Sequence, residues 1–358
     1  MKAAIVIGTA LFGLTTSACQ ATPDTYPLPV HVGGKVAYDA TGYSYQWPGI
    51  YFESRFHGTQ ATVGFDDPNA NYNLILDGKL LAIVMKPGKQ PVPVIAPTDG
   101  DHTLRIEKRS ETQYATGHFL GFFVSDKAAA LPAPSYAREI EFIGDSLTVG
   151  YGNTSQYTQC SPEEIFQTTD AQQGFGPTIA KHYKADYQIN AFSGLGMVRN
   201  YGGFEHPKYH MPMLYPRAIY DDATPTPRKD WAPQVIVVGI GGNDFSTPVG
   251  ATEPWKDEAG LLADYEATYV TFIKGVRLDN PDAFLILTSP EERGDYTIGT
   301  TAVFEALKAA GETRIARLSI PATDSDGCNG HPNTRDDAKI ANMFIAWFDA
   351  HPEVWQGK

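Results

Sequence analysis

The chain has 358 residues, 42% of them hydrophobic and 12% aromatic, which is enough apolar material for two separate cores, so two domains are expected. Lys plus Arg total 28 against 41 Asp plus Glu, a formal charge of −13. That balance disfavours nucleic acid and anionic membrane surfaces as partners and suits an uncharged substrate.

The first 21 residues read as a signal peptide. One Lys precedes an apolar run from Ala3 to Leu14 and small residues from Thr15 to Ala18, a pattern too short and too early for a membrane span. Cys19 directly follows Thr-Ser-Ala and resembles a bacterial lipobox, although Thr16 stands where Leu is usual. Lipid attachment at Cys19 and ordinary cleavage nearby both stay open, and either implies an exported, bacterial, disulfide-permitting setting. Cys160 and Cys328 then remain as an even pair and are expected to bond to each other, the alternative being two separate buried thiols.

Residues 22–134 carry short alternating segments such as GIYFESRF, ATVGFDD, YNLILDGK, AIVMK and HTLRIEKRSE, broken by Gly, Pro, Asn and Asp. Turn signals at this spacing predict an all-β sandwich or jelly roll, with Asp77 to Lys79 as the turn between two strands. The Ala- and Pro-rich stretch Asp126 to Ile140 puts a domain boundary near Pro134.

From residue 135 to 358 strands and helices alternate. EIEFIG, DYQINAFSG, PQVIVVGIGG, AFLILTSP and a weaker RLSIPA read as strands, several of them continuous apolar runs expected of strands covered on both faces. Leu262, Tyr265, Tyr269, Phe272, Ile273 and Val276 recur at helical steps, as do Ile340, Phe344, Trp347 and Phe348. A three-layer α/β domain with a mostly parallel sheet follows.

Four polar or glycine-rich breaks end these strands: Gly144-Asp145-Ser146, Ser193 to Gly196, Gly241 to Asp244, and Asp326 to His331. In a parallel sheet such loops gather at one edge, so distant residues can converge there. Taken alone, Gly144-Asp145-Ser146 is an ordinary strand-to-helix turn; with the other breaks it acquires partners. Ser146 is a weak nucleophile until a base takes its proton, and His331 is suited to that task because an imidazole titrates near pH 6.5. The N–H groups of Ser146 and Gly194 and the side-chain amide of Asn243 can serve as an oxyanion hole. Gly194, lacking a Cβ, lets backbone approach a reacting carbonyl.

GDSL at Ser146, a Gly after the second strand, GGND at Asn243 and the late His331 resemble, in order, the four sequence blocks of the SGNH (GDSL) hydrolases. They differ from the G-x-S-x-G elbow, because Thr148 stands two residues after Ser146. The first half, through YDATGYSYQWPGIYFESRFHGTQATVGFDD, NYNLILDGK and DGDHTLRIEKRSE, resembles the jelly-roll domain that precedes the SGNH domain in carbohydrate esterase family two. This resemblance implies a serine esterase, of the acetylxylan esterase kind, removing O-acetyl groups from xylan and glucomannan with no cofactor. SGNH enzymes commonly place Asp three residues before the His, where this chain has Cys328. The resemblance therefore implies a Ser146–His331 dyad, with a backbone carbonyl, or failing that Asp326 or Asp324, orienting the imidazole. A Cys160–Cys328 bond would tie the nucleophile side to the base side.

Other candidates weigh less. His206 and His210 flank a Pro-interrupted stretch beside Glu205 with no third ligand at a fitting spacing, so no metal is expected. Tyr201, Phe204, Tyr209 and Tyr215 are divided between sugar-stacking walls and loop packing. Trp47 and Trp231 read as core, and Asp145 and Asp244 as loop-bracing acids. Gly33 to Val36 lacks phosphate-loop spacing. The alternatives are a broader carboxylesterase or lysophospholipase of the same fold, and a catalytically inactive carbohydrate-binding protein. The expected partner is an acetylated polysaccharide or oligosaccharide, the chain acting as a monomer with no protein partner.

Overall fold

A computed structural model describes residues 25–203, 209–226 and 230–356. The signal-like segment with Cys19, and Phe204, Glu205 and His206, lie outside the described residues.

The N-terminal half consists of two antiparallel sheets. One is centred on Tyr51–His57, Asp101–Lys108 and Asn71–Leu76, the other on Gly117–Val124 and Gln60–Asp66. Their inner faces meet through aromatics: Phe52 of the first stacks on Phe119 of the second with ring centroids 4.2 Å apart. Asp77 and Gly78 take positive φ values of 51° and 76°, the conformation a two-residue hairpin needs to match strand twist, and join Asn71–Leu76 to Lys79–Met85.

The C-terminal half is built on a five-stranded parallel sheet. In space the strands run Asp186–Ala191, Glu139–Gly144, Val235–Gly239, Phe284–Pro290, Ile315–Ile320, so the first in sequence is second in the sheet. Side chains alternate across it, and both faces are apolar. Ile140, Phe142, Val237 and Ile286 share a cluster with Phe175 and Ile179 of the helix Phe175–His182 and with Ile340 and Phe344 of the helix Thr334–Ala350. Ile143, Ile236, Val238 and Leu287 join Tyr265, Tyr269 and Val276 of the helix Glu258–Asp279 and Val303 of the helix Gly294–Ala309. In the first turn of Glu258–Asp279, Leu261 rather than Leu262 is the fully buried leucine. No helix among the described residues is long and apolar enough to cross a membrane.

The two halves share a core. Trp47 stacks on Phe192 with centroids 4.4 Å apart and donates its indole N–H to the Arg217 carbonyl at 2.7 Å. Arg105, from the middle of a sandwich strand, donates to the Tyr187 hydroxyl at 2.9 Å and pairs with Glu107, which also binds Lys181 at 3.0 Å. The Tyr51 hydroxyl donates to Asp186.

Candidate active site

Gly144 is paired with Ala191 on one side and Gly239 on the other, so three strands end at the same level. The loops that follow, carrying Ser146, Ser193-Gly194 and Gly242-Asn243, leave the sheet side by side. In a strand order of this kind the first strand is where the connections change direction, and a crevice opens beyond the carboxyl ends of its strands. A cleft of about 780 Å³ occupies that position, lined by Ser146, Tyr151, Gly194, Asn243, Arg293 and His331 among others.

Ser146 opens the short helix Ser146–Val149, capped by Asp145, whose carboxylate accepts the Leu147 N–H at 3.1 Å. Ser146 Oγ lies 2.9 Å from His331 Nε2. Nδ1 of the same ring lies 3.0 Å from the carbonyl oxygen of Cys328. A carbonyl can only accept, so Nδ1 carries the proton and Nε2 turns a lone pair toward the serine hydroxyl. Burial pushes the His331 pKa below the ordinary 6.5, with Arg293 adding to the effect, while the hydrogen bond to Cys328 pulls the other way. The arrangement can therefore take a proton from Ser146 and return it to a leaving alcohol.

Cys328 is bonded through its sulfur to Cys160, with Cα atoms 5.5 Å apart. Asp326 points elsewhere: it pairs with Arg335 at 3.0 Å on the surface. Asp324 donates its backbone N–H to Asp336 at 2.9 Å. The Tyr151 ring lies against the imidazole with centroids 4.4 Å apart, and its hydroxyl accepts from Asn329 Nδ2 at 3.2 Å.

Gly194 has φ of +84°, a left-handed conformation that side chains resist, so glycine here serves the backbone path as well as close approach. Asn243 Nδ2 donates to the Leu195 carbonyl at 2.7 Å and lies 3.3 Å from Asp145 Oδ2. One amide hydrogen makes a short bond, and the other a longer one to the Asp145 carboxylate. Asp145 is buried, and burial raises its pKa to about 6. Asp244 accepts the N–H groups of Met197, Val198 and Arg199 at 2.8 to 3.0 Å, bracing the chain after Gly194. Burial still lifts its carboxyl to about 7.

Four residues of this site are not singled out by sequence reasoning: Tyr151, Arg293, Glu111 and Gln113. Arg293 follows the fourth parallel strand, whose polar break Glu291-Glu292-Arg293 opens on the same edge as the other four and so carried the signal. Glu111 and Gln113 come from the other half of the chain, where no sequence pattern marks them. Glu111 accepts the N–H and the hydroxyl of Ser193, each at 2.6 Å. Gln113 Nε2 donates to the Ser193 carbonyl at 2.7 Å and to Glu111 at 3.0 Å.

Of the aromatic candidates, Tyr201 is exposed on the cleft wall. Tyr209 packs on Tyr220, and Tyr215 packs on Phe272. Trp47 is buried, and Trp231 donates to Glu141 at 3.1 Å. Among the described residues no group of three or more His, Cys, Asp or Glu is placed to hold a metal ion.

Residues 32–134 match the family described as carbohydrate esterase 2 N-terminal, and residues 140–344 match GDSL-like lipase/acylhydrolase. An acetylxylan esterase / glucomannan deacetylase of Cellvibrio japonicus is 41% identical over 361 residues, covering 99% of this chain and 100% of that protein. A cellulase/esterase of Acetivibrio thermocellus is 30% identical over 91% of this chain and 40% of its own length. Among solved structures, a carbohydrate esterase described as having divergent catalytic and non-catalytic binding functions in its active site superposes with a TM-score of 0.86. It shares 42% identity and covers 92% of this chain and 100% of its own. A family two carbohydrate esterase from Clostridium thermocellum in complex with cellohexaose gives a TM-score of 0.78 at 26% identity, over 91% of this chain and 99% of its own.

Proposed function

The chain belongs to carbohydrate esterase family two, and from that membership we propose that it is an exported serine esterase that removes O-acetyl groups from plant polysaccharides such as xylan and glucomannan. The observation that carries the mechanism is the single line of contacts from Ser146 Oγ through the His331 ring to the Cys328 carbonyl.

In this reading Ser146 Oγ attacks the acetyl carbonyl as His331 Nε2 takes its proton. The N–H groups of Ser146 and Gly194 and the Asn243 hydrogen that makes the longer bond receive the negative charge of the tetrahedral intermediate. The imidazolium returns its proton to the departing sugar oxygen, leaving acetyl on Ser146. Water, deprotonated by the same nitrogen, then releases acetate. Each step balances within the dyad and needs no metal or organic cofactor. The main-chain acceptor on Nδ1 does the orienting that an Asp does in a triad, and the fit of Nε2 to Ser146 supports the two-residue reading. The three-layer order of the α/β half and the jelly-roll form of the sandwich belong to the same proposal, supported by apolar clusters on both faces of the parallel sheet. So do the domain limits near Pro134 and, for residues outside the described ones, export with cleavage or lipidation at Cys19.

The test is acetate release from acetylated xylan and acetylated glucomannan, set against hydrolysis of long-chain acyl esters, with Ser146→Ala as control. Acetate release lost in Ser146→Ala supports the assignment. Preference for long acyl chains would make the protein a general carboxylesterase, and polysaccharide binding without any acetate release would make it a binding protein.

A further inference from the structure

We propose that Glu111 and Gln113, from the sandwich half, are positioning residues that aim the Gly194 oxyanion donor, so that the esterase site is completed by both halves of the chain. This rests on the acyl-transfer reading above, in which Gly194 supplies one of the N–H groups. The argument starts from the peptide bond between Ser193 and Gly194. That unit is planar and trans, so its C=O and N–H point in opposite directions and cannot be turned independently.

The Ser193 carbonyl accepts from Gln113 Nε2 at 2.7 Å. Holding that oxygen toward the sandwich turns the Gly194 N–H away from it. Gly194 itself lines the cleft, and its N–H has no acceptor among the described residues. The amide of Gln113 cannot be flipped without loss, because its nitrogen faces two acceptors, the Ser193 carbonyl and Glu111 Oε1 at 3.0 Å. Glu111 in turn grips the preceding peptide and side chain of Ser193, each at 2.6 Å. From the far side, the Tyr201 N–H donates to the Gly194 carbonyl at 2.9 Å. The two peptide planes flanking Gly194 are thereby fixed from opposite directions. Glycine at φ +84° has wide conformational freedom, so a donor carried on it needs this external bracing more than one carried on a helix. A donor to the Ser193 carbonyl also polarises the peptide and sharpens the N–H at its other end.

The test uses the full-length protein and Gln113→Leu, which keeps the bulk and removes the donor, with Glu111→Gln as a second variant. An oxyanion contact is made in the transition state and hardly in the bound ester. Gln113→Leu is therefore expected to lower kcat about tenfold, part of the roughly 10²–10³ that complete loss of one such donor costs, and to leave KM within about twofold. Affinity for methylboronic acid, which forms a tetrahedral adduct on a serine, should fall in proportion to kcat/KM. The thermal midpoint and binding of the deacetylated oligosaccharide should stay near the parent values. The inference is overturned by an unchanged kcat in Gln113→Leu, whatever Glu111→Gln does, or by losses that track a lowered thermal midpoint with boronate affinity unaffected. A rate that depends on Ser146 but ignores Gln113→Leu overturns this inference alone, whereas a rate that survives Ser146→Ala overturns the acyl-transfer reading beneath it.

Discussion

The carbonyl oxygen of Cys328 sits 3.0 Å from His331 Nδ1, at the position where a triad would place a carboxylate. A main-chain acceptor fixes the tautomer but contributes no full negative charge, so it orients the ring and raises its basicity less than an ionised acid would. Asp326, the nearest acid before His331, is turned to Arg335 on the surface. Asp326→Asn is accordingly expected to keep kcat/KM within about twofold of the parent, while His331→Ala loses at least about 10³-fold. Steady-state kinetics on an acetylated xylo-oligosaccharide decides the matter, and a loss of several hundredfold in Asp326→Asn sinks the dyad.

The side chain of Cys328 has a different task from its carbonyl. Its bond to Cys160 closes a separation of 168 residues, and Gly152, at φ +57°, lies so close that an added Cβ would be 2.3 Å from Cys328 Cβ. The Cys160→Ser/Cys328→Ser double variant keeps the carbonyl and loses the crosslink. Its unfolding free energy is expected to fall by about 2–5 kcal/mol. The catalytic rate should fall by less than about tenfold, because the groups that touch His331 remain. Denaturant titration alongside kcat separates the two effects; abolition of activity in a variant that still unfolds cooperatively would mean that the crosslink itself holds the imidazole.

How far this site can be read from the sequence depends on whether its parts lie at strand ends. Ser146, Gly194, Asn243 and His331 all follow apolar runs that are recognisable as parallel strands or stand in polar breaks near the chain end, and parallel topology gathers such breaks at one edge. Tyr151 lies within the nucleophile stretch, but nothing in a linear pattern says that its ring will meet an imidazole 180 residues away. Glu111 and Gln113 are invisible for a stronger reason, since their contacts with Ser193 exist only once the two halves of the chain pack together. The helix Gly294–Ala309 has no clear apolar period in the sequence, because it meets Glu258–Asp279 partly through small and polar residues. Thr300 lies 3.2 Å from the Tyr265 hydroxyl, and such a face gives little apolar period.

The pH profile follows from the environment of His331. The base works only when neutral, and burial holds its pKa below 6.5, so it stays neutral into mildly acid solution. The acid limb of kcat/KM is expected to have its midpoint below 6.5. Arg293, which lowers the same pKa through its charge, gives the comparison: Arg293→Ala should move the midpoint upward. The stability sign runs the same way for this group, since a lowered histidine pKa means that the fold loses stability as pH falls below 6.5. An acid limb above 6.5, or one that moves downward in Arg293→Ala, contradicts the assignment of His331 as the base.

Asn243 offers the sharpest check on the oxyanion hole, because its amide does two things at once. One hydrogen bonds the Leu195 carbonyl at 2.7 Å and holds the side chain in place; the other makes the longer contact, 3.3 Å to Asp145, and is the one a developing oxyanion would compete for. In Asn243→Ala the transition state loses a donor, and kcat is expected to fall by about 10²–10³ with KM changed by less than about threefold. The same substitution leaves a buried carbonyl unpaired, so stability should drop by about 1–3 kcal/mol. Asn243→Gln retains an amide but shifts it by one methylene, and it should restore part of the stability while restoring little of kcat, since the oxyanion contact tolerates displacement far less than a carbonyl contact does. If Asn243→Ala loses less than about tenfold in kcat, the negative charge is borne by the two backbone donors, and Asn243 serves only to pin the loop.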